Sequence, residues 1–158
     1  MCLIVDANLA SLVFSQNPND DFRPLIDWLI SPNKDGKLVV GGHLATELDK
    51  VGVAKRFVRS LLQAGRAKRI SDVITDEEEK RVADSCRSDD PHVIALARVS
   101  GARILCSHDK TLHKDFRDPK LISDPRGYIY QNAKHKHLLS MYGHTEACKK
   151  SMSGVDIS

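Results

Sequence analysis

Short apolar runs alternate along this chain with stretches whose apolar residues recur every three or four positions. That is the pattern of a parallel sheet crossed over by helices. "CLIVD" (2–6), "KLVVGG" (37–42) and "ARILCS" (102–107) read as buried strands. "KRISDVI" (68–74) reads as a weaker strand, and "KLIS" (120–123) is a candidate fifth, followed by the turn "DPRG" and the short run "YIYQ". Helical spacing covers "LASLVF", then "FRPLIDWLIS", with Asp20 or Asp21 as its cap. From His43 to Ala64 the positions Leu44, Leu48, Val51, Ala54, Val58, Leu61 and Leu62 predict a long amphipathic helix, with a break at Gly52 and a stop at Gly65. Thr75 and Glu78 fit a capping box for "DEEEKRVADSC". Asp89 or Asp90 caps "PHVIALARVSG", with Pro91 at its first position. "DKTLHKDF" is a short helix.

These elements predict an α/β fold: a three-layer α/β/α sandwich with a mainly parallel sheet of roughly five strands. One domain over 1–130 is expected, followed by a polar extension over 131–158, partly disordered.

Composition narrows the function classes little. Apolar residues are 41% and charged residues 28% of 158, an ordinary mix. No apolar stretch reaches the roughly 20 residues of a membrane span. The start, "MCLIVDANLASLVF", lacks a basic leader and contains Asp6, so it reads as a strand and helix rather than an export signal. Four dispersed cysteines without CxxC spacing read as reduced, buried thiols, and the cytoplasm is the expected location. The net charge of +3 declares no partner by itself, but its distribution is uneven. Between Lys50 and Arg69 lie seven basic residues and no acidic one, a solvated face or a phosphate-binding face.

The candidate chemistry is acidic. Asp6 ends the first strand, Glu47 lies in the helix after the second, Asp90 opens a later helix, and Asp109 follows "RILCSH". A parallel sheet gathers such positions along one edge, where ligands bind. Few thiols or imidazoles accompany them, so a hard divalent cation suits the set. Each residue alone has an ordinary reading: Asp6, Asp90 and Asp109 as caps, Glu47 as a solvated helix residue. Their joint order favours a site.

That order resembles the PIN-domain nucleases. The resemblance spans residues 2–125 and rests on "IVDAN", "ATELDK", "DDPHVIALA" and "SHDKTLHKDF". It implies a divalent-metal-dependent endoribonuclease using one or two Mg²⁺ or Mn²⁺ ions held by Asp6, Glu47, Asp90 and Asp109. It also implies an RNA substrate and cleavage to a 5′-phosphate and a 3′-hydroxyl. A type II toxin role with an antitoxin partner, and a homodimer, come with the same resemblance. Asp90 keeps the family's spacing to "VIALA", with Asp89 as the alternative or a supporting acceptor. Ser107 preserves a hydroxyl at the fourth segment, and Asp115 is a weaker substitute for Asp109. Asn8, Lys50, Lys55, Arg56, Arg59, Ser107 and His108 are candidate substrate contacts.

The competing class is a catalytically inactive PIN-like scaffold binding RNA or protein. It has no physical need for four repelling acids. A receiver domain needs an acidic pair where "IVDAN" has one Asp, and a haloacid-dehalogenase phosphatase needs D-x-D where Asn8 stands. No GxGxxG or GxxxxGK[ST] motif is present. His135, His137, His144 and Cys148 form an H-x-H…H…C set that reads as solvated tail residues rather than a zinc site. His43 and His92 flank the acidic segments and read as surface or capping residues.

Overall fold

A computed structural model describes residues 1–140 and Cys148. It is a three-layer α/β/α sandwich around a five-stranded, wholly parallel sheet. The strands are β1 (Cys2–Val5), β2 (Lys37–Gly41), β3 (Ala67–Ile70), β4 (Ile104–Cys106) and β5 (Tyr128–Tyr130). The helices are α1 (Ala7–Val13), α2 (Arg23–Ile30), α3 (Gly42–Asp49), α4 (Gly52–Gln63), α5 (Asp72–Val82), α6 (Pro91–Ser100) and α7 (Lys110–Arg117). No helix among the described residues is long and apolar enough to cross a membrane.

The central strands are buried on both faces, which is why they read as unbroken apolar runs. Strand order is β3-β2-β1-β4-β5. The chain therefore winds one way from β1 through β3, then returns to build β4 on β1's other side. That reversal falls between β1 and β4, where Val5 pairs with Cys106. In open α/β sheets the crevice at such a reversal, beyond the strand C-termini, is where ligands bind. Asp6 and Ser107 are the next residue on each strand.

Several local expectations changed. "KRISDVI" is a strand only to Ile70; from Asp72 it is already α5. The Thr75–Glu78 capping box does not form. Thr75 is buried inside α5 and bonds the Ser71 carbonyl, while Glu78 pairs with Arg81 and Arg98. Burial pushes the Glu78 carboxyl up, but the two arginine hydrogen bonds outweigh it and hold it below its ordinary range. α2 has Phe22 rather than Asp20 or Asp21 at its cap. "KLIS" is not a strand; Leu121 and Ile122 are buried in turns, and "YIY" supplies β5. The long helix after β2 is broken where expected: α3 ends at Asp49, α4 begins at Gly52, and α4 stops just before Gly65.

The basic run divides by role. Arg66 is a structural pin, donating to the carbonyls of Trp28, Leu29 and Lys34. Lys68 and Arg69 lie on β3, an edge strand, where charge discourages further strand pairing. The remaining basic residues, Lys50 at the end of α3 and Lys55, Arg56 and Arg59 on α4, are exposed.

Residues 133–140, expected as the start of a polar extension, form a 3₁₀ helix packed on α2, with Leu138 in the core. Tyr130 and Ala133 both bond Asp21, securing that packing. The domain therefore runs past 130. Cys2 and Cys148 form a disulfide, so the expectation of four reduced thiols fails for that pair. Their separation of 146 residues hid the pairing from any reading of local spacing. Cys86 and Cys106 are free. The bond removes Cys148 from the suggested H-x-H…H…C set, and His144 lies outside the described residues.

Candidate metal centre

Two of the four acids sit at the β1/β4 reversal. Asp6 is 5% exposed and caps α1, with Oδ1 accepting the Asn8 N–H. Its other oxygen, Oδ2, accepts the Ser107 hydroxyl at 2.8 Å. The same Ser107 oxygen accepts the Asp109 N–H at 3.1 Å. Asp109 in turn caps α7, its Oδ1 accepting from Thr111 and Leu112. One buried hydroxyl thus joins the two carboxylate-bearing loops.

Glu47 and Asp90 approach from the β2 side. Gly42 makes the turn from β2 directly into α3 with φ +56°, and Glu47 follows just over one helical turn later. A Cβ at Gly42 would also press on Thr75 at 2.9 Å. Asp90 holds the N-cap position of α6, yet its side chain makes no capping hydrogen bond. Its carboxylate is therefore left for the crevice. Burial pushes the Asp90 carboxyl up; Asp6, Glu47 and Asp109 push the same way, and His92 opposes them. All four acids therefore act on one another electrostatically at Asp90.

The structure adds a residue that the sequence reading set aside. His92 is only 7% exposed, and its Nε2 lies 2.6 Å from Glu47 Oε1. It is neither a surface nor a capping residue. Donor atoms of Glu47, Asp90 and His92 all lie within 4.8 Å of one another. The set is thus not purely carboxylate, as the sequence suggested. His92 follows the N-cap Asp90 by two residues, and its spacing to Ala95 and Leu96 in "PHVIALA" put it on the helix's core face. That was the available signal. His43, 5.7 Å from His92 ring to ring, pairs with Glu79 at 2.9 Å.

A cavity of about 400 Å³ opens here, lined by His43, Glu47, Lys50, Asp89, Asp90 and His92, among others. Asp89 is exposed at its rim. Lys50 is the basic side chain in this lining. Lys55 and Arg59 line a separate groove of about 190 Å³ with Asp49 and Arg69. Arg56 is exposed on α4. Asn8 is exposed beside Asp6, and exposed His108 has Nε2 3.2 Å from the Gln131 carbonyl. Ser107 is fully buried with its hydroxyl engaged, so it braces the acids rather than touching substrate.

Two supports behind the site were not foreseen as such. His113 Nε2–H donates to the Ser107 carbonyl at 2.7 Å, and burial holds this imidazole below its ordinary pKa. Asp115 is no stand-in for Asp109. It is fully buried and accepts the backbone N–H groups of Arg87 and Ser88, fixing the loop that leads to Asp90.

The donor chemistry fits a divalent cation. Beyond burial, the neighbouring carboxylates raise the proton affinity of Asp90, a crowding that positive charge would relieve, and the His92 imidazole beside them offers a nitrogen donor. Ser107→Ala should therefore weaken Mn²⁺ binding about tenfold, as loss of an outer hydrogen bond does at metal sites. It should also lower stability by about 1–2 kcal/mol, because Asp6 and the Asp109 N–H lose a buried partner. Calorimetric titration and a denaturant melt check both.

No protein-family model matches this chain, and neither a curated protein nor a solved structure matches it.

Proposed function

We propose that this protein is a divalent-metal-dependent endoribonuclease of PIN-like type. The observation that carries the reading is the convergence of Glu47, Asp90 and His92 at the sheet edge, with Asp6 and Asp109 braced together beside them at the β1/β4 reversal. Asp6, Glu47, Asp90 and Asp109 would hold one or two Mg²⁺ or Mn²⁺ ions. A cation there supplies a Lewis acid for a phosphoryl oxygen and lowers the pKa of a water.

The chain's own groups do the rest. The Ser107 hydroxyl and the α1 and α7 cap bonds fix Asp6 and Asp109 before anything binds. Such preorganisation is the larger part of phosphoryl-transfer catalysis. Lys50, at the cavity wall, is placed to meet a phosphate oxygen. Lys55, Arg56 and Arg59 extend positive charge from there along α4, suited to a sequence-independent grip on the backbone. Few aromatic side chains exist for base stacking (4 Phe, 3 Tyr, 1 Trp), so charge rather than stacking would hold a single strand.

The test is cleavage of an end-labelled single-stranded RNA by wild type and Asp6→Asn, with Mn²⁺, Mg²⁺ or EDTA. The expected result is metal-dependent cutting lost in EDTA and reduced about a hundredfold or more in the variant. Full activity in Asp6→Asn would overturn the assignment. A folded wild type that binds no Mn²⁺ and cuts nothing would favour the inactive scaffold.

A further inference from the structure

We infer that His92 is a nitrogen ligand to the cation, which makes this a mixed imidazole–carboxylate site selective for Mn²⁺-class transition ions over Mg²⁺. The inference rests on the reading that Glu47 and Asp90 hold a cation. Its own foundation is the position of His92.

Burial is the first part of that foundation. A 7%-exposed histidine needs a partner, and this one turns Nε2 toward Glu47 and the cavity rather than toward a backbone carbonyl. Its only hydrogen-bond partner among the described residues is therefore itself a proposed metal ligand. The second part is spacing. Glu47 and Asp90 oxygens and a His92 ring nitrogen fall within 4.8 Å, close enough for one ion to reach all three after small side-chain rotations. The third part is rigidity. Asp90 and His92 stand at the start of the same helix, α6, and that helix is buried along most of its length. Pro91 between them fixes the first helical φ. Both donors are therefore presented by one stiff element, as a selective site requires.

The chemical consequence follows from ligand preference. Mg²⁺ is hard and demands oxygen donors in near-ideal octahedral geometry; imidazole nitrogen suits Mn²⁺ less than later ions but far better than it suits Mg²⁺. Any carboxylate site prefers Mn²⁺ to some degree, so the bare preference decides nothing. The change in preference on removing His92 does.

The experiment uses the full chain stripped with EDTA, titrated calorimetrically with MnCl₂ and with MgCl₂. Pulsed electron paramagnetic resonance of the Mn²⁺ form then reads ¹⁴N coupling directly. Wild type, His92→Gln, His43→Gln and Asp90→Asn are compared. The expected result is ¹⁴N coupling in wild type and His43→Gln, and none in His92→Gln. Mn²⁺ affinity should fall about tenfold or more in His92→Gln, while Mg²⁺ affinity changes about twofold at most. Wild type and His43→Gln together test the idea even if a buried-histidine variant folds poorly: coupling must be present in both. Tight Mn²⁺ binding without ¹⁴N coupling would overturn His92 as a ligand and leave the carboxylate site standing. So would coupling lost in His43→Gln but kept in His92→Gln. No Mn²⁺ binding by folded wild type would overturn both this inference and the reading beneath it.

Discussion

Asp90→Asn is expected to lose metal-dependent cleavage by about a thousandfold while leaving the metal-free protein at least as stable as wild type. The first half follows from charge. A cation's stabilisation of a phosphoryl transition state amounts to several kcal/mol, and each 1.36 kcal/mol is about tenfold in rate. The second half follows from what Asp90 does not do. It holds the N-cap position of α6 without a capping hydrogen bond, and Asn is as good a cap residue as Asp. Burial raises its pKa in the folded state, and three nearby carboxylates raise it further. A carboxyl whose folded pKa lies above its unfolded value favours folding below the unfolded value, near 3.8. That contribution is lost as pH rises through the folded value. Ionised Asp90 is thus a net cost to the metal-free protein at neutral pH, and the amide removes it. Melts in EDTA should show the variant equal to or above wild type at pH 7, with any advantage shrinking toward pH 4. Added Mn²⁺ should raise the wild-type melting temperature by mass action and leave the variant's unchanged. Cleavage within tenfold of wild type would remove Asp90 from the site. A large drop in metal-free stability would make it a structural cap.

The sheet was legible because its central strands are apolar on both faces, and "CLIV", "LVV" and "ILC" are short, β-branched-rich or turn-bounded runs alternating with helical spacing. The positions of Asp6 and Asp109 followed from the same runs, since strand ends on a parallel sheet share an edge. What failed was local chemistry outvoted by tertiary packing. Thr75 looked like a cap, but α5 already starts at Asp72, so Thr75 is a buried residue within that helix with its hydroxyl turned back to the Ser71 carbonyl. "KLIS" looked like a strand, but Leu121 and Ile122 plug the core from turns while Arg98 and Arg103 bond the carbonyls around them. His92 and Asp115 were visible as residues and not as roles. Only the fold shows that one meets Glu47 from 45 positions away and that the other meets the 87–88 backbone from α7. The Cys2–Cys148 bond is the extreme case, joining near-opposite ends of the chain.

Asp115→Ala should lower stability by about 3–4 kcal/mol and take cleavage with it, although Asp115 is not a metal ligand. Its carboxylate is wholly buried and accepts Arg87 N–H at 2.9 and 3.1 Å and Ser88 N–H at 2.9 Å. Truncation leaves two backbone donors without partners, at about 1–3 kcal/mol each, and strips one partner from the Arg87 guanidinium 3.5 Å away. Arg87 keeps Asp118, which limits the loss. For a chain of this size the melting temperature should fall by about 10 °C. The functional half depends on a relay of bonds. Asp115 holds the Ser88 backbone, the Ser88 hydroxyl accepts the Asp90 N–H at 3.3 Å, and Asp90 faces the crevice. The other end of the relay is α7 itself, whose first turn Asp109 caps. Asp115 therefore ties the loop bearing Asp90 to the helix that fixes Asp109. The two carboxylate segments keep their spacing only while that tie holds. Asp115→Asn separates the two consequences, because the amide retains one acceptor oxygen for the loop. Its expected stability lies between wild type and Ala, with Mn²⁺ affinity reduced about tenfold. Wild-type Mn²⁺ affinity in a folded but destabilised Asn variant would show that the loop is held for stability alone and that Asp90 finds its place without it.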